Sequence, residues 1–245
     1  MGSLMLAMAG PAQAGEGVAV RSTLLSRAKD GKPLALYLEG GDRAQPIPIG
    51  EMRFSPEFQL PRMEHWAFGY WTNVAGEMAF EEECRVTPPA DSRIWLVFHH
   101  VQPEAPGQGE AGDVDPEGDE AAGPVEELPP VLGAHALGID DLGEGGVMIL
   151  NLAKREVHAE IGGQSLRVEP SGHALVIPEG EPGERYAVKF HVLQGERKRP
   201  FVTTNWFLGE DRRRLATVVE PPGSAVPKLI LSDEISREEA PESGE

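Results

Sequence analysis

A single cysteine, Cys84, in a chain of 245 residues excludes an intramolecular disulfide, so packing and hydrogen bonds must hold the fold. Aromatic residues make up only 6% of the chain, few enough that a domain spends most of them on its interior. Beyond the N-terminal segment, no apolar run approaches the ~18 residues a membrane-spanning helix needs. No phosphate-cradling glycine loop, nucleophile elbow, HExxH helix or paired CxxC set occurs. No catalytic residue and no cofactor is therefore assigned, and the chain is read as non-enzymatic; a hydrolase with dispersed carboxylates is the catalytic alternative. Also missing is any linker with the 3.6-residue apolar stripe of a crossover helix, which argues against a parallel βαβ fold.

Basic charge is scarce as well. There are 22 Lys and Arg against 40 Asp and Glu, a net charge of −18. Location explains most of it. Between Pro103 and Pro130 stand nine acids and no Lys or Arg, and from Asp233 to Glu245 six acids face Arg237 alone. Those segments carry −9 and −5, leaving −4 for the remainder. The rest is nearly balanced and has no basic face, which speaks against general nucleic-acid binding.

What is abundant is punctuation: 29 Gly and 22 Pro interrupt a chain that is 40% hydrophobic, a composition suited to short strands and frequent turns. Strand-length segments are predicted at 33–38, 52–60, 65–71, 77–86, 93–101, 146–152, 155–161, 165–168, 173–177, 185–193, 201–208, 213–219 and 228–231. In the segment 185–193, Tyr186, Val188, Phe190 and Val192 share one face while Lys189 and His191 share the other, the two-residue period of a half-buried strand. Gly162-Gly163 and Gly209-Glu210-Asp211 are suited to tight hairpins. The expectation is an all-β antiparallel β-sandwich, one large domain or two consecutive ones. Two domains would cover 15–102 and 132–232, separated by an acidic Gly- and Pro-rich loop or linker (103–131) and followed by an acidic tail (233–245). Both acidic segments are too poor in apolar residues to offset their ordering entropy.

At the N-terminus, residues 1–14 carry the apolar run Leu4-Met5-Leu6-Ala7-Met8-Ala9, then Gly10-Pro11 and Ala12-Gln13-Ala14, the small-x-small spacing read by signal peptidase, without the positive flank. Export is expected, with Gly15 as first mature residue, a periplasmic or secreted location and no transmembrane segment after cleavage.

Several motifs compete with plainer readings. Trp66, Phe68 and Tyr70 fall on one side of a strand, a spacing that serves a platform for glycans or a partner protein and equally a core face. Seven histidines raise a metal site, with His99-His100, His158, His173 and His191 on different strands; only one of His99 and His100 can join a given site, because neighbours in a strand point oppositely. Asp113, Asp115, Glu117 and Gly118 imitate the start of a calcium loop, but Pro124 stands where the bidentate Glu belongs. Cys84 lies in a strand with no histidine beside it and reads as structural. Arg197-Lys198-Arg199 and Arg212-Arg213-Arg214 bracket one expected hairpin and read as solvated strand ends, with acidic segments or anionic polymers as other partners.

The stretch 147–178, with Asn151-Leu152, Ile161-Gly162-Gly163 and Pro170-Ser171-Gly172 at its turns, resembles a β module of exported bacterial adaptor proteins such as the periplasmic adaptor of alginate acetylation. The resemblance implies a non-catalytic scaffold and carries no site residues across. The expected function is accordingly an envelope adaptor within a protein complex. The alternatives are a carbohydrate-binding module that takes cell-wall glycan on Trp66, Phe68 and Tyr70, or a metal-binding periplasmic protein.

Overall fold

The computed structural model describes residues 17–25, 34–37, 45–75, 77–101, 131–194, 197–221 and 223–235. The expected signal peptide, the acidic segment up to Pro130 with its calcium-like run, and the tail beyond Ile235 lie outside them. Every element described is a strand. The first group is β1 (Gly17–Leu24), β2 (Ala35–Tyr37), β3 (Gln45–Pro46), β4 (Gly50–Glu51), β5 (Phe58–Pro61), β6 (Trp66–Val74), β7 (Glu77–Val86), β8 (Arg93–Val101) and β9 (Val131–Gly138). The second is β10 (Val147–Asn151), β11 (Val157–Ile161), β12 (Gln164–Val168), β13 (His173–Val176), β14 (Arg185–Gln194), β15 (Arg197–Phe207), β16 (Arg212–Val219) and β17 (Lys228–Ile235).

The two groups form the same two-sheet unit twice. In the first, sheet A runs β4-β1-β8-β9 with β5 also on β1, and sheet B runs β3-β2-β6-β7. In the second, sheet C runs β13-β10-β16-β17 and sheet D runs β12-β11-β14-β15. Most pairings match: β1 with β8 and β10 with β16 are parallel, while β1–β5, β2–β3, β2–β6, β6–β7 and β8–β9 correspond to the antiparallel β10–β13, β11–β12, β11–β14, β14–β15 and β16–β17; the parallel pair of β1 with short β4 has no counterpart in sheet C. Even the long hairpins each carry one register shift, at Phe68/Gly69 and at Phe190/His191.

Three apolar layers follow from strand alternation. Val18, Val20, Leu36, Trp66, Phe68, Ile94 and Phe98 fill the first unit, and Ile149, Val157, Ile161, Val188, Phe190 and Val218 fill the second. The third joins them: Trp95, Val97 and Leu137 of sheet A meet Met148, Leu150 and Leu215 of sheet C. Sheets A and C are thus apolar on both faces, and the units sit back to back through equivalent faces. A carboxylate is sealed into this joint beside buried Arg213. Glu234 on β17 is 2% exposed and accepts a hydrogen bond from Trp95 Nε1 at 2.8 Å. Arg21, Arg93 and Arg213 lie 3.3, 3.5 and 3.6 Å from its Oε1.

The all-β expectation holds, and the pairing is mostly antiparallel. Tyr186, Val188, Phe190 and Val192 face the second core as expected, and Gly162 and Gly163, with φ of 56° and 83°, turn β11 into β12. Four details differ. The strand pairs β1/β4, β1/β8 and β10/β16 are parallel with no helix among the described residues; between β1 and β8, and between β10 and β16, the chain passes through the other sheet of the same unit. β9, where no strand was expected, pairs with β8 from Ile94↔Gly138 to Val101↔Val131, so residues placed at the start of the second domain complete the first unit, and 102–130 connects the two strands of one antiparallel pair. β15 and β16, expected as a hairpin around Gly209, lie in different sheets. Finally, Arg212–Arg214 are not solvated strand ends: Arg214 holds Asp233 at 2.6 and 2.9 Å, Arg212 lies 3.3 Å from Asp233, and Arg213 donates to the Leu142 carbonyl at 2.8 Å.

Candidate functional site

Trp66, Phe68 and Tyr70 do share a face, but it is the inward one. Trp66 and Phe68 are fully buried in the first core, and half-buried Tyr70 packs against it. Trp66 Nε1 donates to the Pro61 carbonyl at 3.0 Å, and the Phe68 ring meets Phe98 edge-on at 5.1 Å. Burial pushes the Tyr70 hydroxyl pKa up, with Glu83 and Cys84 adding to it. These side chains are core, the plainer of the two readings their spacing allowed, and sheet A covers that side of sheet B.

Alternation then places Ala67, Gly69 and Trp71 on the opposite, outward face, where a different aromatic group assembles. Tyr37 on β2 and Phe80 on β7 stack at 5.1 Å with 30° between their rings, and Trp71 on β6 meets Phe80 edge-on at 5.9 Å. Strands two apart lie about 9.6 Å from each other, so the Tyr37 and Phe80 rings must reach across β6 to touch. Gly69, paired with Ala35 on one side and Glu82 on the other, carries no side chain to keep them apart. It is also required for the register shift, since a Cβ there would come within 1.9 Å of the Glu81 carbonyl oxygen. Tyr37 is 37% exposed; Trp71 and Phe80 are half-exposed. Beside them the Arg85 guanidinium binds both oxygens of Glu82, at 3.0 and 2.8 Å, which holds the Glu82 carboxyl below its ordinary range. Cys84, on the other side of β7, is half-buried, its thiol pushed up to about 12 by burial and then by Glu83 and Glu82. A thiol so disfavoured as thiolate is not a nucleophile at neutral pH.

The histidines fall into two groups. His158 and His191 are cross-strand partners on the outer face of sheet D, with Glu156 2.5 Å from His158 Nε2. His99 stacks on His135 of β9 at 5.3 Å and 24°, and His173 of β13 is near enough to act on His135. Sequence reasoning missed His135 because β9 was not read as a strand. Among the described residues no three His, Cys, Asp or Glu side chains are placed to hold a metal ion. Arg197, Lys198 and Arg199 are exposed at the start of β15.

No family model and no curated protein sequence matches the chain. What the structure defines is a class: an all-β protein of two units of closely similar topology fused back to back, with a partly exposed aromatic cluster on the outer face of the first. Nothing narrower follows from comparison, so the function is argued from that cluster.

Proposed function

We propose that the chain is a non-enzymatic adaptor of the bacterial envelope, exported as residues 1–14 suggest, that grips a partner protein through the outer face of sheet B. The observation that carries this reading is the Tyr37–Phe80–Trp71 cluster. The other tryptophans, Trp66, Trp95 and Trp206, are buried, so leaving these three rings in partial contact with water forgoes burial that a monomer would use. Tyr, Trp and Arg are the residues enriched among interface hot spots, and Arg85 stands beside the rings. The fused architecture supports the same role, since two units locked through sheets A and C direct sheets B and D to opposite sides, as a scaffold requires.

Cross-linking in native membranes followed by capture and mass spectrometry tests the proposal. Wild-type protein should repeatedly retain one envelope complex that Trp71→Ala and Phe80→Ala lose, with circular dichroism confirming that both variants fold. Equal capture by wild type and variants would overturn it. Glycan binding is the second reading, favoured by the same rings, and is separated by titrating tryptophan fluorescence with cell-wall glycans: a shift at millimolar ligand that vanishes in Trp71→Phe would replace the protein partner with a sugar.

A further inference from the structure

His99 stands on β8 in the alternation of Trp95 and Val97, the side chains that meet sheet C. His135 is opposite Val97 in the register of β8 and β9 and therefore shares that face. The diagonal between the two histidines is closed by an unusual vacancy. His99 is paired with Gly133, and a Cβ on Gly133 would come within 2.8 Å of His99 Nε2. Only a residue without a side chain lets the His99 ring lie flat across β9 and reach His135. From the second unit, His173 is paired with Leu150, which belongs to the same joint, so it projects toward sheet A at this rim.

We infer that His99 and His135, with His173 facing them, form a proton-operated latch between the two units: neutral, the stacked rings close the joint at this rim; protonated, they separate and loosen sheet A from sheet C there. The chemistry is like-charge repulsion in a partly dehydrated place. Parallel imidazoles whose centres are 5.3 Å apart tolerate one proton poorly and two worse, since burial already disfavours the charged form. Among the described residues, the titratable groups acting on the pair are other histidines: His100 beside His99 along β8, and His173 across the joint. Among the described residues no carboxylate forms an ion pair with His99 or His135 to offset the added charge. Both pKa values accordingly lie low, His99 near 4 through burial and then His135 and His100, and His135 in the same direction through burial and then His173. The latch is therefore closed at neutral pH and opens on acidification. It is independent of the adaptor reading, although a protein in a compartment whose pH follows the surroundings could use it to release a partner.

Spin labels report on the joint directly. With Cys84→Ser as background, labels at exposed Val131 in the first unit and Pro170 in the second give an inter-unit distance distribution by pulsed electron resonance. We expect it to be narrow near neutral pH and to broaden as pH falls from ~6.5 toward ~4. In the His99→Gln, His135→Gln double variant it should stay narrow throughout. Carboxylates are common to both proteins, so their effects cancel in the comparison. If the double variant does not fold, His173→Gln at its exposed position should move the onset to lower pH, and Gly133→Ala, which displaces the His99 ring, should move the His99 titration by NMR toward that of a free imidazole. A wild-type distribution unchanged over this range, or equal broadening in wild type and the histidine variants, overturns the latch.

Discussion

Glu234→Gln removes one negative charge while keeping the size and the acceptor oxygen that Trp95 uses. The carboxylate it replaces is 2% exposed and has three guanidinium groups between 3.3 and 3.6 Å of one oxygen. Arg21 would keep Glu57 at 3.8 Å and Arg213 the Leu142 carbonyl at 2.8 Å, neither of which replaces a shared buried counter-ion. Breaking a buried ion pair by removing one member costs about 3–5 kcal/mol, because the remaining charge stays dehydrated. At the roughly 2–4 °C per kcal/mol of a chain this long, the melting temperature should fall by roughly 6–20 °C. Urea unfolding monitored by fluorescence and by circular dichroism measures the loss, and the Trp95 indole N–H resonance should move with it. Glu57→Gln is the control: its side chain is 45% exposed, and an exposed pair contributes only about 0–1 kcal/mol. A loss below about 1 kcal/mol in Glu234→Gln would show that the cluster is not the charged lock of the joint.

Stability should also depend on acid. A histidine held near 4 in the folded protein and near 6.5 unfolded binds its proton less readily when folded. Its contribution is therefore fully present above about pH 6.5 and is lost as the pH falls toward 4, at most about 3 kcal/mol for His99; denaturation midpoints across this window should slope upward with pH, and less steeply in His99→Gln. Cys84 should react with a disulfide reagent at mildly alkaline pH only as fast as the protein unfolds; rapid labelling of the native protein would contradict the raised thiol. Gly69→Ala should be among the most damaging small substitutions, since its Cβ meets backbone rather than a movable side chain; a thermal midpoint within a degree or so of wild type would show that the register shift is not needed.

Where the apolar pattern is strong, the fold was legible. Bounds 77–86 and 93–101 match β7 and β8, and the alternation of Tyr186 to Val192 named one wall of the second core. β9 was illegible for a physical reason: half of VLGAHALG is Gly or Ala, residues with little strand preference, and it is a strand because β8 offers it partners along its whole length. The duplication was hidden because topology, not residue identity, repeats: β6 is WAFGYWTNV where β14 is RYAVKFHVLQ. The aromatic site was half legible. Period two separates Trp66, Phe68 and Tyr70 from Trp71, but choosing which set faces water requires knowing that sheet A lies on the first, and Tyr37 and Phe80 join Trp71 only through cross-strand register.

The proposed adaptor role requires that a partner bind the outer face of sheet B. A photo-crosslinking amino acid placed at Trp71, compared in living cells with the same residue at exposed Thr203 on sheet D, addresses it most directly. One discrete adduct with an envelope protein is expected from position 71 and none from position 203; no adduct from position 71, or the same adducts from both, would contradict a partner on this face.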